Sequence, residues 1–143
     1  MYNKDMSRES KVQIFHRAMG LDINSVPRVS LLELRKQLLL EEVGETVEVI
    51  DRITMKLMQG KTTTKQDWSD FLKELTDVQY IISGTFVSFN TFSSDFDTSF
   101  NRVHDSNMSK LDGEGNPVYN KDGKVLKGSN YKCPDLKDLI GVL

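Results

Sequence analysis

The sequence predicts an all-α protein, a bundle of four to five helices followed by an extended tail with a β-hairpin. Apolar residues recur at intervals of three and four over most of the chain, which is the period of an amphipathic helix. Capping residues stand where these segments begin and end, and the connections between them are short. At 143 residues the chain fits one domain, 1–143, with the bundle over about 7–107 and the tail over about 111–143.

The first helix is expected to begin after Ser7 and to run to about Met19. Val12 and Phe15 share one side with Met19, and Gly20 supplies the stop. Residues 21–29 read as a loop.

The second and longest helix is predicted to open with a capping box, in which the Ser30 hydroxyl and the Glu33 carboxylate satisfy end amides. It runs to about Gln59, before Gly60. One apolar stripe of this helix also carries acids, and a second stripe lies beside it: Leu32, Leu39, Val43, Ile50 and Leu57. We therefore expect the helix to be covered on both sides.

The third helix is expected to be capped by Thr64 with Asp67 and to end near Phe89. Gly84 in its interior should lower the stability of the helix by roughly 1 kcal/mol relative to alanine. We therefore expect a neighbouring helix to approach closely at that position.

Ser94 and Asp97 are expected to open a fourth helix, whose inner face would carry Phe96, Phe100 and Val103. In the tail, Asp122 and Gly123 between two short apolar runs indicate a hairpin. A short apolar segment then closes the chain: Leu136, Leu139 and Ile140.

Composition excludes several classes of function. The 19 basic residues against 21 acidic ones give a net charge of −2, so no basic surface is expected to bind nucleic acid. The single cysteine, Cys133, excludes an intrachain disulfide and fits a reducing cytoplasm. The N-terminal residues are polar and no apolar run reaches membrane length, which predicts neither a signal peptide nor a membrane partner.

Pairs of acids interrupt the apolar stripes of the second and third helices. The first stripe reads Leu31, Leu38, Glu42, Glu45, Val49, and the second reads Asp70, Glu74, Asp77, Ile81, Gly84. A buried carboxylate is costly unless it is paired, protonated or bound to a metal. Four such groups would form an all-oxygen site suited to Mg²⁺ or Mn²⁺. The alternative is a pair of solvated acidic faces that pair with Lys or Arg.

Glu41-Glu42-x-x-Glu45 followed by Glu74-x-x-Asp77 resembles the EExxE…ExxD pattern of the all-α nucleoside triphosphate pyrophosphohydrolases. That superfamily includes MazG, dimeric dUTPases, dCTP pyrophosphatases and phosphoribosyl-ATP pyrophosphohydrolase. Further segments are similar to the MazG-like or phosphoribosyl-ATP-pyrophosphohydrolase-like branch of bacteria and phages, which includes the phage MazZ type: 15–20, 103–110, 122–131 and 134–136. The resemblance covers nearly the whole chain.

The resemblance implies a MazG-like bundle that hydrolyses a (deoxy)nucleoside triphosphate, favouring a purine deoxynucleotide such as dGTP or dATP. Water would cleave between the α and β phosphates to give monophosphate and pyrophosphate. It implies about two or three Mg²⁺ ions per site, with Mn²⁺ able to substitute, and a homodimer or homotetramer. The metal and catalytic positions would be Glu41, Glu42, Glu45, Glu74 and Asp77. Asn107 and Lys110 match positions that contact the substrate.

Two other interpretations remain open at this stage. The substrate could be a pyrimidine deoxynucleotide, dUTP or dCTP, or the bundle could be a non-catalytic interaction module. For His16 and His104 we expect packing or substrate-pocket roles rather than proton transfer. Trp68 and Tyr80 could stack on a nucleobase, although aromatic residues at helical spacing also build cores.

Overall fold

The computed structural model describes residues 5–141, and within them it contains four α-helices and no strand. The helices are α1 (Arg8–Met19), α2 (Val29–Met58), α3 (Lys65–Ser88) and α4 (Phe96–Met108). A 3₁₀ helix of three residues, Lys137–Leu139, stands in place of any fifth helix. The all-α prediction is confirmed. No helix in the described range is long and apolar enough to span a membrane.

The chain forms two compact units. One holds α1, α2 and α3 and ends at Asn90, and the other begins at Thr91 and holds α4 and the tail. The assignment of 1–143 to a single domain stays a prediction. Residues 1–4, in the predicted polar N-terminus, and 142–143, in the predicted tail, lie outside the described residues.

The ends of α1 are set by the two residues that the sequence indicates. The Ser7 hydroxyl accepts a hydrogen bond from the Ser10 backbone N–H at 3.1 Å. Gly20 adopts the left-handed conformation with φ of 66°, which glycine tolerates without a steric penalty. Both predicted boundaries are therefore confirmed.

The start of α2 differs from the prediction. The helix begins at Val29, and its N-cap residue, Arg28, makes no capping hydrogen bond with its side chain. Arg28 instead donates to both carboxylate oxygens of Asp22, at 2.9 and 2.7 Å, and so anchors the preceding loop. Glu33 pairs with Lys36 at 2.6 Å. The predicted Ser30–Glu33 capping box is wrong, because the helix already begins at Val29, two residues before the start that a Ser30 cap would give.

The start of α3 matches the prediction. Thr64 Oγ1 accepts from the Asp67 N–H at 3.2 Å, and Asp67 Oδ2 accepts from the Thr64 N–H at 2.8 Å. The close contact expected at Gly84 is also present. A Cβ atom there would lie 2.7 Å from the Arg35 guanidinium, so a larger residue would require the Arg35 side chain to shift.

Helices α2 and α3 pack antiparallel, and α1 packs on α3. Arg35, near the start of α2, donates to the Ile81 carbonyl at 2.9 Å, and Arg52, near its end, pairs with Asp70 at 2.6 Å. The buried apolar residues of this unit are Val12, Leu31, Val49, Ile53, Val87 and Phe89.

The second apolar stripe of α2 is not covered by the part of the chain that the structure describes. Its residues Leu32, Leu39, Val43, Ile50 and Leu57 are between 38% and 57% exposed. The expectation that α2 is covered on both sides is therefore not met within residues 5–141. The physical reason is that α3 packs on the stripe that carries Leu31 and Val49, and one neighbouring helix covers only one side.

Two predictions for the second unit need correction. Asp95, rather than Ser94, caps α4, because its carboxylate accepts from the Thr98 N–H at 2.7 Å. The expected inner face of α4 is wrong, since Phe100 is 66% exposed and Val103 is also exposed. The hairpin is present only as a turn closed by a single antiparallel bridge between Tyr119 and Val125.

Candidate metal centre and active site

Three glutamates converge where α2 faces α3. Carboxylate oxygens of Glu42, Glu45 and Glu74 all lie within 4.8 Å of one another. Glu42 and Glu45 are three residues apart on α2, so they share a face, and the antiparallel register of α3 brings Glu74 against them. Glu74 is buried, Glu42 is half-buried and Glu45 is exposed, so the cluster reaches from the helix interface to the surface.

Electrostatics in this cluster oppose the ionised form of two of its members. Burial raises the pKa of Glu42, and the negative charges of Asp77 and Glu45 raise it further. The carboxylate of Glu74 raises the pKa of Glu45, with a further contribution from desolvation. Such shifts indicate negative charge that the protein itself does not fully neutralise.

Lys73 supplies a positive charge at the edge of the cluster. Its ammonium nitrogen lies 3.1 Å from Glu74 Oε1 and 2.9 Å from Asp77 Oδ2, and these carboxylates raise the pKa of Lys73. Sequence reasoning missed this residue. The sequence did indicate an ion pair, because Lys73 precedes Asp77 by four residues, a spacing at which opposite charges meet on a helix.

The other two predicted ligands lie at the margin. Asp77 acts on Glu42 through its charge and is held by Lys73. Glu41 is exposed and raises the pKa values of both Glu42 and Glu45, but it is outside the group of three converging carboxylates. The structure therefore brings together three of the five predicted metal ligands and places the other two beside them.

The donor set fits a hard divalent cation. It consists only of carboxylate oxygens, which Mg²⁺ and Mn²⁺ prefer, and it comes from two helices that ion pairs join. A divalent cation would also neutralise the charge that raises the pKa values of Glu42 and Glu45.

Ion pairs hold the two helices in register beyond the cluster. Lys56 lies 2.6 Å from Asp67 Oδ1, and this ammonium together with the Thr64 hydrogen bonds lowers the pKa of Asp67 to about 2. On the other side of the cluster, the buried Arg35 donates to Thr85 Oγ1 at 3.1 Å. Arg35 was not singled out from the sequence, although it follows Leu31 by four residues and so lies on the same stripe.

The predicted substrate-binding pair lies in the second unit. Lys110 donates a hydrogen bond to the Asn107 side-chain oxygen at 2.7 Å, so the two residues form one polar group at the end of α4. Their contact with substrate stays a prediction.

The two histidines and the two aromatic residues considered for base stacking differ in their exposure to solvent. His16 is buried with Nδ1 2.7 Å from the Asp22 carbonyl oxygen, which fits a packing role, whereas His104 is exposed. Trp68 is 51% exposed and Tyr80 is 38% exposed, so neither is a core residue.

Comparison with known proteins assigns the family. The family model described as phosphoribosyl-ATP pyrophosphohydrolase matches residues 12–107, about two thirds of the chain and the whole of the acidic cluster. A search of curated proteins found no match. The family match indicates a nucleotide pyrophosphohydrolase, a hydrolase acting on phosphoric anhydrides, and such proteins are typically dependent on divalent metal. The chain belongs to the phosphoribosyl-ATP pyrophosphohydrolase family, within the MazG-like all-α nucleoside triphosphate pyrophosphohydrolase superfamily.

Proposed function

We propose that this protein hydrolyses a deoxynucleoside triphosphate between its α and β phosphates, releasing a monophosphate and pyrophosphate. The favoured substrate is a purine deoxynucleotide, dGTP or dATP, on the basis of the resemblance in sequence. The observation that carries the proposal is the convergence of the Glu42, Glu45 and Glu74 carboxylates within 4.8 Å on two paired helices.

In this proposal the chain supplies charge and position rather than a nucleophile. Glu42, Glu45 and Glu74 hold Mg²⁺, with Asp77 and Glu41 completing the acidic site. When bound, the metal supplies Lewis acidity at the phosphate and lowers the pKa of water. The carboxylates fix where the cation sits, and the ion pairs between α2 and α3 keep their spacing. Preorganised charge of this kind needs no rearrangement during the reaction.

Asn107 and Lys110 complete the proposal as substrate-binding residues. Lys110 carries a mobile positive charge suited to a phosphate oxygen. Its hydrogen bond to Asn107 limits where the ammonium can lie.

Two alternative functions are to be distinguished from this proposal by experiment. One is a pyrimidine deoxynucleotide, dUTP or dCTP, as substrate. The other is a non-catalytic module with a solvated acidic face, which would bind Mg²⁺ only weakly. The half-burial of Glu42 beside two other carboxylates, which raises its pKa, favours a metal site over a solvated face, because a desolvated carboxylate among like charges is costly.

The decisive experiment is a screen of the common ribo- and deoxynucleoside triphosphates with Mg²⁺, together with phosphoribosyl-ATP, from which the family takes its name. Products are identified, and the reaction is repeated in ¹⁸O-labelled water. We expect pyrophosphate and, if water attacks the α phosphorus, label in the monophosphate. Release of inorganic phosphate with a diphosphate product would refute the proposed bond cleavage.

The carboxylates are tested by Glu42→Gln and Glu74→Gln, with Glu48→Gln, an exposed acid on α2, as the matched control. The first two variants should nearly abolish turnover, because each loses a charged metal ligand. The control should keep most of the activity. Wild-type rates in Glu42→Gln at saturating Mg²⁺ would remove the cluster from the mechanism.

We also propose that the protein is cytoplasmic, does not bind nucleic acid, and works as a homodimer or homotetramer. The exposed Cys133 thiol suits a reducing compartment. The net charge of −2 gives no electrostatic attraction to nucleic acid. The exposed stripe of α2 is the surface that an identical chain would cover.

A further inference from the structure

The C-terminal tail lies along the second half of α4. The Lys132 backbone N–H donates to the Ser109 hydroxyl at 2.8 Å, and the Asp138 carboxylate accepts from the Arg102 guanidinium at 2.8 Å. Arg102 precedes Ser109 by about two helical turns, so later residues of the tail contact earlier residues of the helix. The tail therefore runs antiparallel to α4, and residues 128–138 form a strap across its C-terminal half, the tail strap.

Gly128, at the start of the tail strap, contacts the backbone of the turn that follows α4. Its N–H donates to the Lys110 carbonyl oxygen at 2.9 Å. A Cβ atom at this position would lie 2.7 Å from the Lys110 carbonyl oxygen and 2.8 Å from that of Leu111. Both are backbone atoms, which cannot turn aside as the end of a side chain can. The φ of Gly128 is not in the left-handed region, so the need for glycine here is steric.

Three hydrogen bonds fix Lys110. Its backbone N–H donates to the Asn107 carbonyl at 3.2 Å, and its ammonium donates to the Asn107 side-chain oxygen at 2.7 Å. These two bonds stay within one turn of chain. The third bond, from the Gly128 N–H, comes from a segment 18 residues later in the sequence. The tail strap therefore fixes the backbone from which the Lys110 side chain extends.

Contacts within the tail strap and next to it hold Gly128 itself in place. The Tyr131 N–H donates to the Gly128 carbonyl at 3.3 Å, which closes a turn over residues 128–131. The Lys127 ammonium lies 4.4 Å from the centre of the Tyr131 ring, a cation–π contact that joins the two flanks of this turn. The N–H that Gly128 offers to Lys110 is therefore oriented before any ligand binds.

We infer that the tail strap positions Lys110 and Asn107 for the substrate, and that Gly128 is the positioning residue through which it does so. The inference rests on the proposed function for the substrate-binding role of Lys110 and Asn107. Gly128 needs no contact with the substrate, because it acts on the backbone of Lys110. A side chain at this position would push the turn after α4 away from the tail and move the ammonium with it.

The test is a double-mutant cycle with a matched glycine control. The variants are Gly128→Ala, Lys110→Ala, the two combined, and Gly113→Ala. Gly113 also lies in the tail, but a Cβ atom there would have open space, with no atom of the described chain beyond its sequence neighbours within 4 Å. Steady-state kinetics are measured with Mg²⁺ and the nucleotide that the wild type hydrolyses best. Circular dichroism melts verify that each variant is folded.

Gly128→Ala should lower kcat by roughly tenfold to a hundredfold, because a displacement of about 1 Å in a positioned group has effects of that size. In the Lys110→Ala background the same change should lower kcat by less than about threefold, because the ammonium that it displaces is already absent. Gly113→Ala should keep wild-type kinetics. An equal effect of Gly128→Ala in both backgrounds would mark a general structural role and overturn the inference. Wild-type kinetics in Lys110→Ala would overturn it too, together with the substrate role of Lys110.

Amide hydrogen exchange followed by mass spectrometry gives a readout that does not depend on turnover. Gly128→Ala should speed exchange over residues 107–111 by about tenfold and leave α1, α2 and α3 unchanged, because only the turn after α4 loses its partner. Unchanged exchange over 107–111, or faster exchange with wild-type kinetics, would overturn the positioning role. A wild type without turnover would contradict the proposed function, and the exchange rates would still decide whether Gly128 holds the Lys110 backbone.

Discussion

At the scale of single residues, Lys73 decides how the acidic cluster behaves without metal. Its ammonium bridges Glu74 and Asp77, whereas Glu42 and Glu45 have raised pKa values. The four acids are therefore not equivalent. Neutralising Glu42 or Glu45 should steady the metal-free protein, because an acid whose pKa is raised on folding destabilises the fold at pH values above that pKa.

Lys73→Ala should bind Mg²⁺ more tightly than the wild type, because the ammonium competes with the cation for Glu74 and Asp77. The side chain is 62% exposed, so the gain should be modest, about threefold. The metal-free variant should also melt at a lower temperature. Calorimetric titration with Mg²⁺ measures the first effect, and Lys65→Ala, an exposed lysine on α3, is the control. An unchanged Mg²⁺ affinity in Lys73→Ala would show that the lysine does not compete for the site.

Lys110 tests the second unit's contribution to catalysis. If the ammonium steadies charge on the departing pyrophosphate, Lys110→Ala should lower kcat by something on the order of tenfold to a thousandfold. If it binds the ground state and transition state alike, KM alone should rise. We expect the fall in kcat, because a contact to the leaving group strengthens as the bond breaks. Steady-state kinetics beside Lys121→Ala, an exposed lysine in the hairpin turn, provides the comparison. Equal, small effects in both variants would exclude Lys110 from the site.

At the scale of elements, α2 and α3 form the frame that spaces the carboxylates. Arg35 and the close approach at Gly84 lie on one side of the cluster, and the pairs of Arg52 with Asp70 and of Lys56 with Asp67 lie on the other. Asp67 has two functions there, since it also closes the capping box of α3. This anchoring on both sides explains how three like charges can be held within 4.8 Å.

Asp67→Asn should lower the melting temperature at neutral pH, because the Lys56 ammonium loses its anionic partner. The pKa of Asp67 is lowered from 3.8 to about 2 on folding, so its contribution to stability is complete above about pH 4. It is lost as the pH falls towards 2, and the difference between wild type and variant should shrink over that range. Melts followed by circular dichroism measure the difference, and Asp51→Asn on the exposed face of α2 is the control. A constant difference down to about pH 2 would contradict the assigned pKa.

At the scale of the whole molecule, the main unresolved feature is the second apolar stripe of α2, which is exposed. A long row of exposed apolar side chains on one helix is typical of a surface that associates with another protein. An identical chain is the partner that the proposed oligomer provides.

Charge placed in the stripe should separate the proposed oligomer. The double variant Leu39→Lys with Ile50→Lys introduces like charges that would face each other or be desolvated across a symmetric interface. Light scattering after size-exclusion chromatography should give a smaller mass than for the wild type. Val118→Lys, at an exposed apolar residue of the tail, is the control. A wild type that is already monomeric, or a double variant of unchanged mass, would contradict an interface on this stripe.

The sequence by itself determined the helical class, most helix boundaries and the candidate acids of the proposed site. These features depend on neighbouring residues in the sequence. They are the spacing of apolar residues at three and four, a serine or threonine that caps a helix N-terminus, and a glycine that adopts a positive φ. The Ser30–Glu33 box failed because α2 already begins at Val29, after a loop that the Arg28–Asp22 ion pair anchors. The Ser94 cap failed because the Asp95 carboxylate accepts from the end amide of α4 instead. Local competition of this kind depends on loop geometry that a pattern does not contain.

Only the tertiary structure decided which acids meet and what neutralises them. The register between α2 and α3 brings Glu74 to Glu42 and Glu45, leaves Glu41 outside, and gives Asp77 to Lys73. It also left one apolar stripe of α2 exposed. The sequence marks both stripes of α2 as apolar, but the side that is covered depends on where the neighbouring helix packs. The physical reason is that distances between charges on different helices follow from packing, which no spacing within one helix can specify.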